Sequence, residues 1–408
     1  MPDILKSNWA TIFGLIGPLG YLSVYALWFP ILVVVLFNIP GLLTTLRSDG
    51  LISLRRYLPY FALPLFGGLS AAWALVPSDA FSTAMKFSGY ICLAILAGMV
   101  IRGATEDEKR KIYLSTAIGL IAVFPVALLD IGLSGGISSL YKSYEFNPNM
   151  YSRGTAITAC LLIPLAIGLL RYANKWFAIA SIVLCVGVVF GLYMEAAKLA
   201  VIIAAIVFFL VKWQQKLFWP IVTIPLLVAF VFPVFFALPL TEAQQCRLHY
   251  MMDSAHHRVM IYQFGTEKIL KKPILGWGLD SSRSVPGGAQ KIESIKCVRP
   301  DGQPTVLSIG GKMPLHPHNA AIQIWLELGL VGSMLLVGTI ALFLKRMKRA
   351  VQSSEGQAAL AASFCSACLI YNISFGLWQS WLMFAMILIG GITLSLGASS
   401  ALSQRDEV

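Results

Sequence analysis

Apolar runs of about 20 residues recur along this chain, the length a helix needs to cross the hydrocarbon core of a bilayer. They fall at approximately 9–24, 26–42, 58–76, 84–101, 112–131, 154–170, 176–194, 196–211, 217–240, 319–344, 357–377 and 381–401. Backbone polar groups inside a bilayer must pair within the chain, so such runs fold as helices. The expected fold is an all-α polytopic membrane protein with about 12 transmembrane helices. Composition agrees: 12% of residues are charged, against roughly 25% in a soluble domain. Pro18, Gly20, Pro30 and Pro40 crowd the first two runs, where a kinked or re-entrant segment is compatible with the sequence.

The net charge is +12, but the basic residues are not placed for nucleic acid. Arg47, Arg55 and Arg56 share one short loop, and Arg102, Lys109, Arg110 and Lys111 another. Arg171 and Lys175, Lys212 and Lys216, and Lys345 to Arg349 fill three more. With twelve spans all five loops face one side, which the positive-inside rule makes cytoplasmic, together with both termini. Met1 to Ala10 shows no small-residue cleavage site and reads as the lead into a retained helix. The chain then divides into helices one to nine over 1–240, an external loop over 241–318, and helices ten to twelve with a cytoplasmic tail over 319–408. Long loops translocate largely regardless of charge, so the basic 241–318 segment is expected outside.

That loop has two parts. Ser254 to Lys272 reads as an amphipathic helix, closed by Lys272-Pro273 and a Gly276-Trp277-Gly278 turn. Residues 281–315 are rich in Gly, Pro and Ser and read as irregular. Five of the seven cysteines lie in apolar runs; Cys246 and Cys297 share the loop and are free to pair if it faces an oxidising compartment.

Charges inside membrane helices are costly, so each is a functional candidate. Here they are Lys86, Asp130, Glu195, Lys198 and Glu327, with Arg153 at the outer end of its run. Lys86, Arg153, Lys198, Arg258 and His318 are all expected at the external face. Two readings stand: basic side chains snorkelling to headgroups, or a set of cations holding an anion such as a lipid diphosphate.

All five histidines lie between His249 and His318. His316-Pro317-His318-Asn319 marks the point where the polar loop re-enters an apolar helix. Asn319, Gln323 and Glu327 are spaced by four and share one helix face. They suit helix-to-helix hydrogen bonding, with Asn319 as a cap. His316 and His318 are two apart across a proline, without a nearby cysteine or carboxylate cluster, so no metal site is expected. The sequence shows no nucleotide-binding loop and no serine-hydrolase elbow, and no cofactor is expected.

His257-Arg258, the amphipathic helix, Lys272-Pro273-Ile274-Leu275-Gly276-Trp277-Gly278, and then His316-Pro317-His318-Asn319 with Gln323, Glu327 and Gly329 form an ordered pattern. This pattern resembles the O-antigen ligase/polymerase superfamily of polytopic membrane glycosyltransferases, and most of all an O-antigen ligase. The resemblance implies a GT-C-like helical fold with a large periplasmic loop in the bacterial inner membrane. It implies metal-independent transfer of a glycan from undecaprenyl diphosphate to a sugar of the lipid A-core. His318 matches the family's essential histidine and Arg258 its loop arginine. Arg153, Lys198 and Lys86 would hold the diphosphate, with His316, Asn319, Gln323 and Glu327 in support. Lys198, in Met194-Glu195-Ala196-Ala197-Lys198, falls where many members have Ser-Arg-Gly. A glycan polymerase and a protein O-oligosaccharyltransferase of the same superfamily share the donor. A lipid-linked glycan transporter is the alternative of another class. The polar residues gather at one face rather than at the midplane, which argues against it.

Overall fold

The structure is a computed structural model that describes residues 8–140, 146–251, 253–292, 295–298, 303–307 and 310–397. It is a largely helical, multi-pass membrane protein. Among the described residues seven helices are long and apolar enough to cross a membrane, or eight if one bent pair is a single span. The shorter apolar helices Trp9–Leu22, Lys175–Gly191 and Ser380–Leu394 pack with them.

The bent pair lies in the proline-crowded region. Val24–Phe37 and Ile39–Arg47 meet at 61° across Asn38. Pro40 has no N–H to continue a helical ladder, and the Asn38 side chain instead donates to the Val34 carbonyl at 2.9 Å. The 58–76 run is similarly divided, into Arg55–Phe61, Ala62–Leu69 and Ser70–Ala72, with Pro59 inside the first piece.

The Glu106–Gly132 helix opens with a capping box between Thr105 and Glu108. This places Lys109 inside the helix rather than in a solvated loop. Lys109 is 2% exposed and ties two helix ends together, donating to Glu106 at 2.8 Å and to the Gly397 carbonyl at 2.8 Å.

The polar segment is more ordered than expected. Its helices are Glu242–Met251 and Asp253–Lys271. Within the stretch read as irregular, Ile295–Val298 pairs antiparallel with Pro304–Leu307, in the register Cys297 to Thr305. Strands of four residues are too short to show an alternation of two in sequence. Cys246 and Cys297 form a disulfide that fastens the first helix to this hairpin.

The feature that positions the site is a break in a membrane helix. The Ala320–Ala350 helix is interrupted at Gly329, where φ is 62° and ψ is −156°. The loop segment 273–278 lies alongside the break and takes over the missing hydrogen bonds. Trp277 N–H donates to the Leu326 carbonyl at 2.9 Å, and Gly278 N–H to the Glu327 carbonyl at 2.8 Å. In return, Leu330 N–H donates to Pro273 at 2.9 Å and Val331 N–H to Ile274 at 3.2 Å. Non-helical backbone at this depth is tolerated where protein satisfies it.

Glycine makes the contact possible. A Cβ on Gly329 would sit 2.4 Å from the Ile274 carbonyl oxygen, and one on Gly276 would sit 2.4 Å from that of Glu327. Both also adopt positive φ, where a side chain is strained.

Candidate active site

The starts of the Pro77–Arg102, Ala320–Ala350 and Ser380–Leu394 helices lie against the polar segment, through Thr83 to Asp280, Asp280 to Glu327 and Gln379 to His316, and Arg153 at the start of Ser152–Tyr172 lies over Trp381. Turns between helices alternate the chain direction, so residues far apart in sequence arrive at one face. Tyr90 donates to Ser380 at 2.7 Å across that face.

His318 immediately precedes the Asn319 cap of the broken helix. The Asn319 side chain accepts from Ile322 N–H at 2.9 Å and donates to the Asn372 carbonyl at 2.9 Å. His318 has φ of +52°, uncommon for a residue with a side chain. Its Nδ1 lies 2.9 Å from the Ser374 carbonyl oxygen. A carbonyl only accepts, so Nδ1 carries the proton and donates. The other nitrogen, Nε2, then keeps its lone pair. Burial lowers the His318 pKa, and the charges of Arg258 and His257 lower it further; the Ser374 bond acts in the opposite direction.

His316 lies beside it, with ring centroids 4.3 Å apart and ring planes inclined by 59°. Its Nδ1 accepts from the His318 main-chain N–H at 3.2 Å. Its Nε2 lies 3.1 Å from the Gln379 amide nitrogen. The Gln379 carbonyl is already taken by Trp381 Nε1 at 3.1 Å, which fixes the amide's orientation. With Nδ1 accepting, the neutral ring carries its one proton on Nε2, and a further proton on Nδ1 would cost the bond from His318. Burial, the His318 ring and Arg283 push the His316 pKa down to about 4.

Arg258 belongs to the Asp253–Lys271 helix, and its charge reaches both His318 and Tyr262. His318 thus has Nδ1 engaged by a main-chain carbonyl, and the Arg258 charge is near enough to lower the ring's pKa.

Residues 180–337 match the family described as O-antigen ligase. The resemblance to the O-antigen ligase superfamily is shown. A protein of Rickettsia conorii named "Putative polysaccharide ligase" is 26% identical over 302 residues, covering 72% of this chain and 69% of its own length. Proteins of the same name from Rickettsia felis and Rickettsia prowazekii are 24% and 26% identical over 322 residues, covering 77% of this chain and 74% of theirs. The ligase-family match contains Lys198, Arg258, His316, His318, Asn319, Gln323 and Glu327; Lys86 and Arg153 precede it.

The other predicted residues are placed in different settings. Gln323 and Glu327 are buried cross-links. Glu327 accepts from Asp280 N–H at 2.7 Å, Ser282 at 2.5 Å, Gln323 at 3.0 Å and Trp378 at 2.6 Å. Gln323 also accepts from Leu377 N–H at 2.7 Å. Arg153 stands over the rings of Tyr25 and Trp381, at 5.2 Å and 5.8 Å. Lys198 forms an ion pair with Glu195 at 2.7 Å, and among the described residues no hydrogen bond joins it to the histidines.

Lys86 shares a pocket of about 280 Å³ with His316, Asp280, Arg283, Trp378 and Ser380. Sequence reading had no signal for Ser374, which acts through its main chain. It also passed over Arg283, Asp280 and Gln379, which sit in segments without periodicity and meet only through the fold.

Proposed function

We propose that this protein transfers a glycan from undecaprenyl diphosphate to a sugar hydroxyl of the lipid A-core, with His318 as general base. The observation that carries the reading is the Ser374 carbonyl on His318 Nδ1. It holds one tautomer and leaves Nε2 able to take a proton. In the proposed step, the acceptor oxygen forms its bond to the anomeric carbon while the anomeric carbon–oxygen bond to the diphosphate breaks. The acceptor proton passes to His318 Nε2, and the bond electrons leave with the lipid diphosphate. General-base catalysis of this kind contributes typically about 10²–10⁴-fold.

The leaving group gains negative charge as the bond breaks. Arg258, with Arg153, Lys86 and the more engaged Lys198, supplies positive charge there, and fixed cations meet that need without a metal. His316, Asn319, Gln323 and Glu327 hold the loop and the helix start in place. The names of the Rickettsia relatives favour a polysaccharide ligase over a polymerase or a protein glycosylating enzyme. The same reading has about twelve spans in the bacterial inner membrane, the basic short loops in the cytoplasm and the 241–318 segment in the periplasm. The disulfide supports that side, because disulfides persist in the periplasm.

The test is transfer by purified full-length protein supplied with lipid-diphosphate donor and lipid A-core acceptor. His318→Ala is expected to abolish transfer. Near wild-type product from that variant sinks the base assignment, and no product from the wild type sinks the reading as a whole.

A further inference from the structure

The pocket beside His316 has an uneven hydrogen-bonding inventory. Its amides are partly engaged: Gln323 donates to Glu327 and accepts from Leu377, and Gln379 faces His316 and accepts from Trp381. Tyr90 spends its proton on Ser380. Asp280 accepts from Thr83 at 2.8 Å and from Arg283 at 3.0 Å. The cationic groups of the pocket keep spare donors, while the Asp280 carboxylate keeps spare acceptor sites. Lys86 makes no hydrogen bond or ion pair among the described residues, and Arg283 spends one contact of the five N–H groups a guanidinium offers. The Ser380 hydroxyl proton is also unspent.

The backbone around Arg283 is set with unusual care. Asp280 has φ of +57°, a strained conformation for a side-chain-bearing residue. Three bonds hold it there: its N–H to Glu327, and its carboxylate to Thr83 and Arg283. Arg283 is nevertheless half exposed, with 49% of its side chain accessible, so its free edge faces outward into the pocket. Lys86 stands ten residues into the Pro77–Arg102 helix, roughly 13 Å along its axis at about 1.5 Å per residue.

We propose that Arg283 and Lys86 form a binding site for a phosphoryl group carried by a lipid-linked saccharide, with Asp280 as the residue that positions Arg283. This deepens the transferase reading and rests on it for the identity of the substrate. The guanidinium supplies a fork to two phosphoryl oxygens, the ammonium a point charge. Asp280 keeps that fork from turning to solvent, and Glu327 keeps Asp280 in its strained conformation.

The experiment measures binding to full-length protein in nanodiscs, independently of transfer. The probes are undecaprenyl diphosphate, inorganic pyrophosphate and uncharged undecaprenol. Arg283→Ala and Lys86→Ala are each expected to weaken undecaprenyl diphosphate binding about tenfold or more, within the range for hydrogen bonds to charged groups. Arg283→Lys recovers part of the loss, because charge returns without the fork. Undecaprenol binding stays unchanged. A parallel loss for pyrophosphate assigns the site to the phosphoryl group alone, and a loss confined to the lipid diphosphate assigns it to the lipid-borne form. Unchanged affinity of Arg283→Ala for both phosphate probes overturns the proposal. His318→Ala is expected to bind normally, so a failed base assignment leaves this result readable.

Discussion

The Ser374 carbonyl oxygen lies 2.9 Å from His318 Nδ1, and this contact decides which ring nitrogen is open for chemistry. A main-chain carbonyl here does what a carboxylate does for many catalytic histidines: it fixes the tautomer. It adds no counter-charge, so burial and Arg258 keep the ring neutral.

A pH dependence follows. In the proposed mechanism His318 must be unprotonated, and its pKa lies below the ordinary 6.5. The acidic limb of kcat/KM is therefore expected below pH 6.5, with activity retained at neutral pH and lost as pH falls through the lowered value. A limb centred at or above 6.5 contradicts this environment for His318.

Arg258→Ala tests two effects at once. Loss of a cation at the developing charge is expected to reduce kcat by about 10²–10³-fold, the range for removing one electrostatic stabiliser. The same change removes a charge that lowers the His318 pKa, so the acidic limb moves upward. A purely structural arginine reduces activity without moving the limb.

Glu327→Gln preserves shape but replaces one acceptor oxygen by a donor. Four donors now converge on the two carboxylate oxygens, so at least one loses its partner. A loss of about 1–3 kcal/mol in stability is expected, the cost of an unmet buried polar group. Thermal unfolding in detergent reads it, and an unchanged midpoint removes Glu327 from the scaffold.

Gly276→Ala and Gly329→Ala place a methyl group 2.4 Å from opposing main chain. Strain at a positive φ adds of order 1–3 kcal/mol. Both variants are expected to unfold at lower temperature, whereas Gly338→Ala, which meets nothing within 4 Å, is not.

Alkylation before and after reduction checks the disulfide. Without reductant, Cys246 and Cys297 are expected to resist labelling, while five cysteines remain free thiols. Replacing the pair by serine is expected to cost about 2–4 kcal/mol of stability.

The sequence revealed the helical class because hydrocarbon length and hydrophobic run length are the same quantity. It revealed the stripe of Asn319, Gln323 and Glu327 because helical period alone places them on one face. The amphipathic helix before Pro273 was legible for the same reason, and its observed limits are Asp253–Lys271. The hairpin was not, since its strands are shorter than any useful period. Nor was the pairing of segment 273–278 with the broken helix, because Gly276 and Gly278 announce a turn but not what the turn touches. Lys109 was misplaced for a related reason. A basic residue near a span end looks solvated until its acceptor, the Gly397 carbonyl, arrives from the far end of the chain.

The splice between residues 273–278 and the helix broken at Gly329 also limits how the protein can move. Lifting the outer segment away would strip partners from Leu326, Glu327, Leu330 and Val331 within the apolar interior. Each orphaned main-chain group costs several kcal/mol there. Asp280 and Arg283 follow that splice directly, and His318 sits at the start of the same helix. The face that carries His318 is therefore fixed to the bundle rather than carried on a lid. In the proposed reaction, two lipid-borne substrates would come to a preset surface.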